Sequence, residues 1–271
     1  LHDIRIGFIG AGNMAGSILG GLIGRGQAPA SLLASDLDTG KLEALAAQTG
    51  IVAASNEQIA QQADVIVLAV KPQVMAPVCA ALAESLGSRR PLIVSIAAGI
   101  TIAALERWFG TEAALVRCMP NTPALVGSGA SGLFANPQVS ADQRAIADQL
   151  LGAVGIALWV ESEGDIDAVT ALSGSGPAYF FLMMEAMQDS AVKLGLPADV
   201  AKALTYQTAL GAAQLAAASD ESTSQLRRNV TSPNGTTERA IHHFEAGGLR
   251  ELVDGALKAA HARSIELAGE I

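Results

Sequence analysis

Cysteine is nearly missing from this chain. Cys79 and Cys118 are its two examples, too few for a disulfide framework and spaced unlike metal ligands, so two buried free thiols in a reducing cytoplasm and no metal site are expected. Positive charge is also short, with 17 Lys and Arg against 26 Asp and Glu and a net charge of −9. Two basic doublets, Arg89-Arg90 and Arg227-Arg228, do not make a surface for nucleic acid. Long apolar runs are absent too. The longest charge-free stretch, residues 119–141, is interrupted by Pro120, Pro123, Pro137 and several glycines. It therefore cannot span a membrane and reads instead as an uncharged lining beside something bound. The opening residues 1–8 carry Asp3 and Arg5 and do not form a signal peptide. Aromatics make up 4% of the chain, although half of its 271 residues are hydrophobic. The apolar mass is therefore Ala, Leu, Val and Ile with 28 Gly, which suits close packing of helices on a sheet and burial in an oligomer, and excludes disorder.

What is present falls into two halves. In the first, β-rich runs alternate with helical patterns. The runs are Ile4-Arg5-Ile6-Gly7-Phe8-Ile9, Leu32-Leu33-Ala34-Ser35, residues 64–70, Leu92-Ile93-Val94-Ser95-Ile96, Ala114-Leu115-Val116-Arg117-Cys118 and Ile156-Ala157-Leu158-Trp159-Val160. Nearly continuous apolar strands between amphipathic helices predict a parallel sheet covered on both faces, the doubly wound α/β class. Past residue 163 no comparable strand run appears. Helices are predicted over 177–194, 197–218 and 249–268, and the first carries Phe180, Phe181, Leu182, Met183 and Met184 in succession. A helix apolar on every side has to be buried on every side, so two copies of the chain are expected to pair here. The division is placed between residues 1–163 and 164–271.

Gly10-Ala11-Gly12-Asn13-Met14-Ala15 follows the first strand and opens a helix. This is the G-x-G-x-x-[GA] pattern: the first glycine makes the turn, the second admits a pyrophosphate to the backbone, and the third small residue lets helix meet strand. Asp36 lies about 20 residues on, where a carboxylate binds a ribose 2′-hydroxyl and favours NAD. Ser35, Asn56 and Lys71 sit at strand ends that could surround the same ribose, so the choice of dinucleotide stays open on these residues.

In the second half, Val230-Thr231-Ser232-Pro233-Asn234-Gly235-Thr236-Thr237-Glu238 feeds a helix starting near Thr237 and running through Phe244. Successive backbone N–H groups at such a start form a cradle for a carboxylate, with Ser232, Thr236 and Thr237 as neutral hydrogen-bonding groups. The histidines, His2, His242, His243 and His261, have no nucleophile partner in any recognisable motif. Lys193 does not open the Lys-x-x-x-Asn pattern of proton-abstracting hydroxyacid dehydrogenases. A hydride transfer lacking an evident acid–base residue points to an electrophile activated in advance, such as a protonated imine.

Together with Ala69-Val70-Lys71-Pro72, Ser95-Ile96-Ala97-Ala98-Gly99, Met119-Pro120-Asn121-Thr122-Pro123 and Ser173-Gly174-Ser175-Gly176-Pro177-Ala178, these motifs cover almost the whole chain. It resembles the pyrroline-5-carboxylate reductases, in particular bacterial ones. The resemblance implies an N-terminal Rossmann-type domain, an all-helical C-terminal dimerisation domain with further assembly to decamers, and reduction of 1-pyrroline-5-carboxylate to L-proline, the last step of proline biosynthesis. NADPH is the donor favoured on family grounds, with NADH also open. It further implies dinucleotide contacts from Gly10, Gly12, Asn13, Met14, Ser35, Asp36, Asn56, Ala69, Val70, Lys71, Pro72, Ala97, Ala98 and Gly99, with Pro120 and Asn121 by the nicotinamide. Substrate would be held by Ser232, Asn234, Gly235, Thr236 and Thr237, with Glu163 approaching and the Thr237 hydroxyl near the ring nitrogen as the catalytic group. Asp36 sits awkwardly beside a 2′-phosphate, which a carboxylate pointing at it would repel. Competing expectations are a reductase of another cyclic imine, a β-hydroxyacid dehydrogenase, and a dinucleotide sensor without chemistry.

Overall fold

The computed structural model describes residues 4–270; Leu1, His2, Asp3 and Ile271 lie outside the described residues. Eight strands form one sheet: β1 (Ile6–Ile9), β2 (Leu32–Ser35), β3 (Val52–Ala53), β4 (Val65–Leu68), β5 (Leu92–Ser95), β6 (Leu115–Met119), β7 (Gly129–Ala135) and β8 (Gly155–Trp159). Their order is β3-β2-β1-β4-β5-β6-β7-β8. Pairing is parallel throughout except between β6 and β7. The sheet is thus mostly parallel, and its first six strands follow the doubly wound order of dinucleotide-binding folds.

The helices between strands are α1 (Asn13–Gly24), α2 (Thr39–Thr49), α3 (Asn56–Gln62), α4 (Met75–Leu86), α5 (Ile102–Phe109) and α6 (Ala141–Gly152). Alternate side chains of each central strand go to opposite faces. Phe8, Val65, Val67 and Val94 join Ile18, Leu19 and Leu22 of α1 and Leu150 of α6. Ile9, Ile66, Leu68 and Ile93 join Ile59 of α3, Met75 and Leu82 of α4 and Leu105 of α5. Burial on both faces is why these strands read as unbroken apolar runs. Cys79 and Cys118 are free and buried, and burial pushes both thiols up to about 12.

The strand pattern did not mark β7, which lies in the charge-free stretch. Five of its seven residues are glycine, alanine or serine apart from Leu133 and Phe134, and these do not carry a β signal. Their smallness has a packing reason. A Cβ at Gly132 would lie 2.7 Å from Val169, at the end of α7 (Asp165–Val169), which a π-turn continues over Thr170–Gly174.

By compactness the chain divides into two units, one of residues 1–175 and 260–271 and the other of residues 176–259. Residues 164–175, counted by sequence with the helical half, belong here with the sheet because α7 packs on β7. The second unit contains α8 (Gly176–Lys193), α9 (Ala198–Ala218), α10 (Thr223–Asn229) and α11 (Thr236–Ala246), and α12 (Leu249–Gly269) begins in it. In α8, Gly176 is the one buried residue, while Phe180, Phe181 and Leu182 are each more than 60% exposed. Among the described residues no helix is long and apolar enough to cross a membrane.

Two neighbouring glycines of α1 test this packing. Gly20 has open space where a Cβ would go, whereas a Cβ at Gly21 would lie 2.6 Å from the Ala153 carbonyl oxygen. Gly20→Ala should therefore raise stability by about 1 kcal/mol through helix propensity. Gly21→Ala should lower it by about 1–3 kcal/mol through overpacking. Urea unfolding of both variants checks this; a gain in both would contradict the close approach of α1 to the segment before β8.

Candidate active site

Every expected dinucleotide contact in the first unit lies at the carboxyl edge of the sheet or just beyond it. Gly10 follows β1, Asp36 follows β2, Ala69 to Pro72 follow β4, Ala97 to Gly99 follow β5, Pro120 and Asn121 follow β6, and Asn56 opens α3. In open α/β sheets this edge, where the strand order reverses between β1 and β4, is where ligands bind. Main-chain bonds knit it together: Gly10 N donates to Ser35 O at 2.8 Å, Ala69 N to Ile9 O at 2.9 Å and Ile96 N to Leu68 O at 3.1 Å.

The two glycines of the turn have separate tasks. Gly10 has φ +102°, and a Cβ there would lie 2.8 Å from Ala69 O; both conditions demand glycine. Gly12 has φ −69°, and nothing lies within 4 Å of where its Cβ would be. Its own fold does not require glycine, so the open space suits something outside the chain. Gly12 is the N-cap of α1 and provides no side-chain cap, leaving the first N–H groups of the helix facing outward with the positive end of its dipole. Lys71 is exposed beside β4 and makes no ion pair among the described residues. An uncapped helix start, a turn without a Cβ and a free ammonium group fit the phosphates of a dinucleotide.

Side chains around the ribose position are engaged with one another. Asp36 is partly exposed, and both of its carboxylate oxygens are engaged by main-chain N–H groups. Its Oδ2 accepts from Ala11 N at 2.8 Å, and its Oδ1 from Asp38 N at 3.0 Å. Partial burial works to raise its pKa, but the N–H groups of Asp38 and Ala11, the Lys41 charge and the Leu37 N–H outweigh it and hold the carboxyl below 3.8. The buried Ser35 hydroxyl donates to Asn56 Oδ1 at 2.6 Å. Asn121 is buried as well, its Nδ2 donating to Ser173 O and its Oδ1 accepting from Ala130 N, both at 2.9 Å. Its side chain therefore joins β7 to the π-turn, whereas Asn13 presents an exposed amide at this edge.

Glu163 also has an occupation within the first unit. Its Oε1 accepts from Ile102 N at 2.7 Å and from Arg117 Nη1 at 2.9 Å. Arg117, 3% exposed, reaches Asp167 at 3.5 Å with its other arm, and Asp167 accepts from Ser264 Oγ at 2.7 Å. Sequence reasoning passed over Arg117, whose signal was one charge inside an otherwise apolar strand.

In the second unit the loop before α11 has the features of an anion cradle. Asn234 has φ +61°, and its N–H donates to Glu238 Oε2 at 2.8 Å. Gly235 N donates to Ser232 O at 3.0 Å, and a Cβ on Gly235 would lie 3.0 Å from that oxygen. Gly235 is the N-cap of α11 and again gives no side-chain cap. The hydroxyls of Ser232, Thr236 and Thr237 have no hydrogen-bond partner among the described residues. His242 and His243 lie along α11 away from its start.

A doubly wound sheet with an open glycine turn at its switch point, joined to a helical unit rich in exposed apolar residues, defines a dinucleotide-dependent oxidoreductase with a helical dimerisation domain. Residues 163–267 match the family model for pyrroline-5-carboxylate reductase dimerisation, and residues 5–99 the model described as NADP oxidoreductase, coenzyme F420-dependent. The pyrroline-5-carboxylate reductase of Pseudomonas aeruginosa is 57% identical over 98% of both chains, and that of Vibrio alginolyticus 44% over 97% of both. Among solved structures, the Coxiella burnetii pyrroline-5-carboxylate reductase matches with a TM-score of 0.95 at 47% identity, covering 98% of both chains. The Plasmodium falciparum pyrroline carboxylate reductase, solved with NADP bound, matches at 0.87 and 31%, covering 99% of both. This chain belongs to the pyrroline-5-carboxylate reductase family.

Two outcomes test the edge. Gly12→Ala should leave the melting temperature of the ligand-free protein unchanged and weaken NADPH binding by about tenfold or more, measured by calorimetry; unaltered affinity would remove Gly12 from the phosphate path. Asp36→Asn should lower thermal stability near neutral pH. The folded pKa is depressed, so the carboxylate's contribution is present above the unfolded value and is lost only as pH falls through the folded one, below 3.8. A deficit that vanished already at mildly acidic pH would contradict the tether to Ala11.

Proposed function

We propose that this chain reduces protonated 1-pyrroline-5-carboxylate to L-proline, the closing step of proline biosynthesis, with NADPH as the preferred donor and NADH as a second one. The observation that carries the substrate assignment is the uncapped start of α11 beside three unpartnered hydroxyls. The N–H groups there, with Ser232, Asn234, Gly235 and Thr236, take the carboxylate. The Thr237 hydroxyl accepts from the iminium N–H, fixing the ring and steadying its charge. Residues 1–163 serve the dinucleotide through Gly10, Gly12, Asn13, Met14 and Lys71 with the other loop residues at the sheet edge. Residues 164–271 serve substrate and dimerisation.

When bound, the reduced dinucleotide supplies two electrons and one hydrogen to the C=N carbon, and the nitrogen keeps the proton with which it arrived. The chain needs no strong acid or base for this, because the iminium is polarised before it enters. Its residues contribute placement and exclusion of water. The inward tether of Asp36 supports NADPH, since the carboxylate is held by Ala11 N and Asp38 N. The exposed Phe180, Phe181 and Leu182 of α8 and Leu204 and Leu210 of α9 support pairing of two copies through the helices, with dimers gathering into a decamer. The buried free thiols accord with work in the cytoplasm.

Oxidation of NADPH and of NADH with pyrroline-5-carboxylate is followed for the parent and two variants. Thr237→Ala should lower kcat by about a hundredfold with dinucleotide affinity intact, as for loss of one transition-state hydrogen bond. Ser232→Ala should chiefly raise KM for the imino acid, by about tenfold. Binding of both dinucleotides without turnover in the parent would overturn the assignment in favour of a sensor. Loss of dinucleotide binding in Thr237→Ala would overturn the role given to that hydroxyl.

A further inference from the structure

We infer that Glu163, held by Arg117, is a positioning residue that sets the spacing between two dinucleotide-binding loops; the inference rests on the dinucleotide reading above. Glu163 is distant in sequence from both of its donors, by 61 residues from Ile102 and 46 from Arg117. One carboxylate oxygen, Oε1, receives both bonds. Ile102 is the first residue of α5, where a backbone N–H has no partner inside the helix. The Thr101 hydroxyl caps Ala104 N, three residues along, so the Ile102 N–H falls to Glu163. That bond fixes the far end of the β5–α5 loop, which carries Ala97, Ala98 and Gly99.

Arg117 stands on β6 in register with Ser95 at the end of β5. Three residues later the same strand delivers Pro120 and Asn121. The single oxygen of Glu163 therefore ties the close of one loop to the strand that carries the next. Asp167 and Ser264 complete the support: Asp167 takes the second arm of Arg117 and is in turn hydrogen-bonded by Ser264. The guanidinium is thereby held from two sides and cannot follow Glu163 if the loop shifts.

Stability alone does not account for this arrangement. A buried ion pair is often no more stabilising than apolar side chains of the same volume. An apolar residue at position 163 would, however, leave the Ile102 N–H without its acceptor and the β5–α5 loop without its anchor. Placement is what the carboxylate adds. Whether the other oxygen, Oε2, also meets the imino acid is what the KM of the variants separates.

Glu163→Gln keeps an oxygen for Ile102 N but presents no charge to Arg117, whereas Glu163→Ala removes both functions. NADPH dissociation constants by calorimetry, melting temperatures, and KM and kcat for pyrroline-5-carboxylate are measured for the parent and both variants. Weakening of NADPH by about tenfold in Glu163→Ala is expected, with partial rescue in Glu163→Gln and a KM for the imino acid within about twofold of the parent. A raised KM with unchanged NADPH affinity would place Glu163 at the substrate and overturn the inference. Lowered melting temperatures with unaltered NADPH affinity would reduce it to structural support and overturn it equally. Should Glu163→Ala fail to fold, unaltered NADPH affinity in Glu163→Gln would overturn it and weakened affinity would uphold it. A parent chain that binds neither dinucleotide would remove the reading on which it rests, a result distinct from all of these.

Discussion

The guanidinium of Arg117 sits where the apolar interior of the sheet gives way to its working edge, and much of the first unit is arranged around keeping it paired. A lone buried cation would cost several kcal/mol, and removal of one partner from such a group typically costs about 3–5 kcal/mol. Glu163 and Asp167 meet this demand from the segments after β8, and Ser264 closes the group from α12. By sequence Glu163 ends the first half of the chain and Asp167 opens the helical one. Their attachment to the sheet explains why compactness assigns residues 164–175 and 260–271 to the first unit. The same group touches the start of α5 through Ile102 N, so an electrostatic requirement inside the fold becomes a geometric constraint at its edge.

That edge is electrostatically unlike the rest of the molecule. The chain carries a net charge of −9, yet the carboxyl ends of β1 and β4 present an uncapped helix start and the exposed Lys71. The nearest acid, Asp36, has both oxygens engaged by main-chain N–H groups. A polyanionic cofactor thus meets local positive potential on an acidic protein, which favours a specific site over general attraction. The loop before α11 repeats the device in the second unit: a helix without a side-chain cap, a turn with Asn234 at positive φ, and small hydroxyl residues around it. Both proposed anion sites rest mainly on backbone and neutral groups, with the ammonium of Lys71 added at the first, which leaves little acid–base chemistry to the chain and agrees with a substrate that arrives protonated.

Much of this was legible in the sequence. Strands β1, β2, β4, β5 and β6 announced themselves because burial on both faces demands continuous apolar residues; β8 was legible from its apolar run, although Ile156 and Leu158 are exposed in the single chain. The glycine turn and the loop at Thr231 to Thr237 were readable because each requires particular residue types at fixed places. β7 was hidden because its small residues serve the approach of α7 and carry no strand preference. The two-residue β3 was too short for any pattern. Side-chain commitments were the other hidden layer. Spacing placed Asp36, and the family resemblance Asn121 and Glu163, near a dinucleotide or substrate, but no pattern could reveal that Ala11 N, Ser173 O with Ala130 N, and Arg117 were already their partners. The Phe180–Met184 run in α8 read as a face in need of a partner, and in the single chain Phe180, Phe181 and Leu182 are indeed exposed.

Two anion sites of backbone N–H groups, hydroxyls and Lys71 are proposed to suffice for turning a protonated cyclic imine and a reduced dinucleotide into an amino acid. The most direct test is a product balance: L-proline formed, resolved by chiral chromatography, against NADPH consumed from racemic pyrroline-5-carboxylate. One L-proline per NADPH, with no D-proline, is the result this account predicts. NADPH consumed without proline, or proline of both hands, would contradict it.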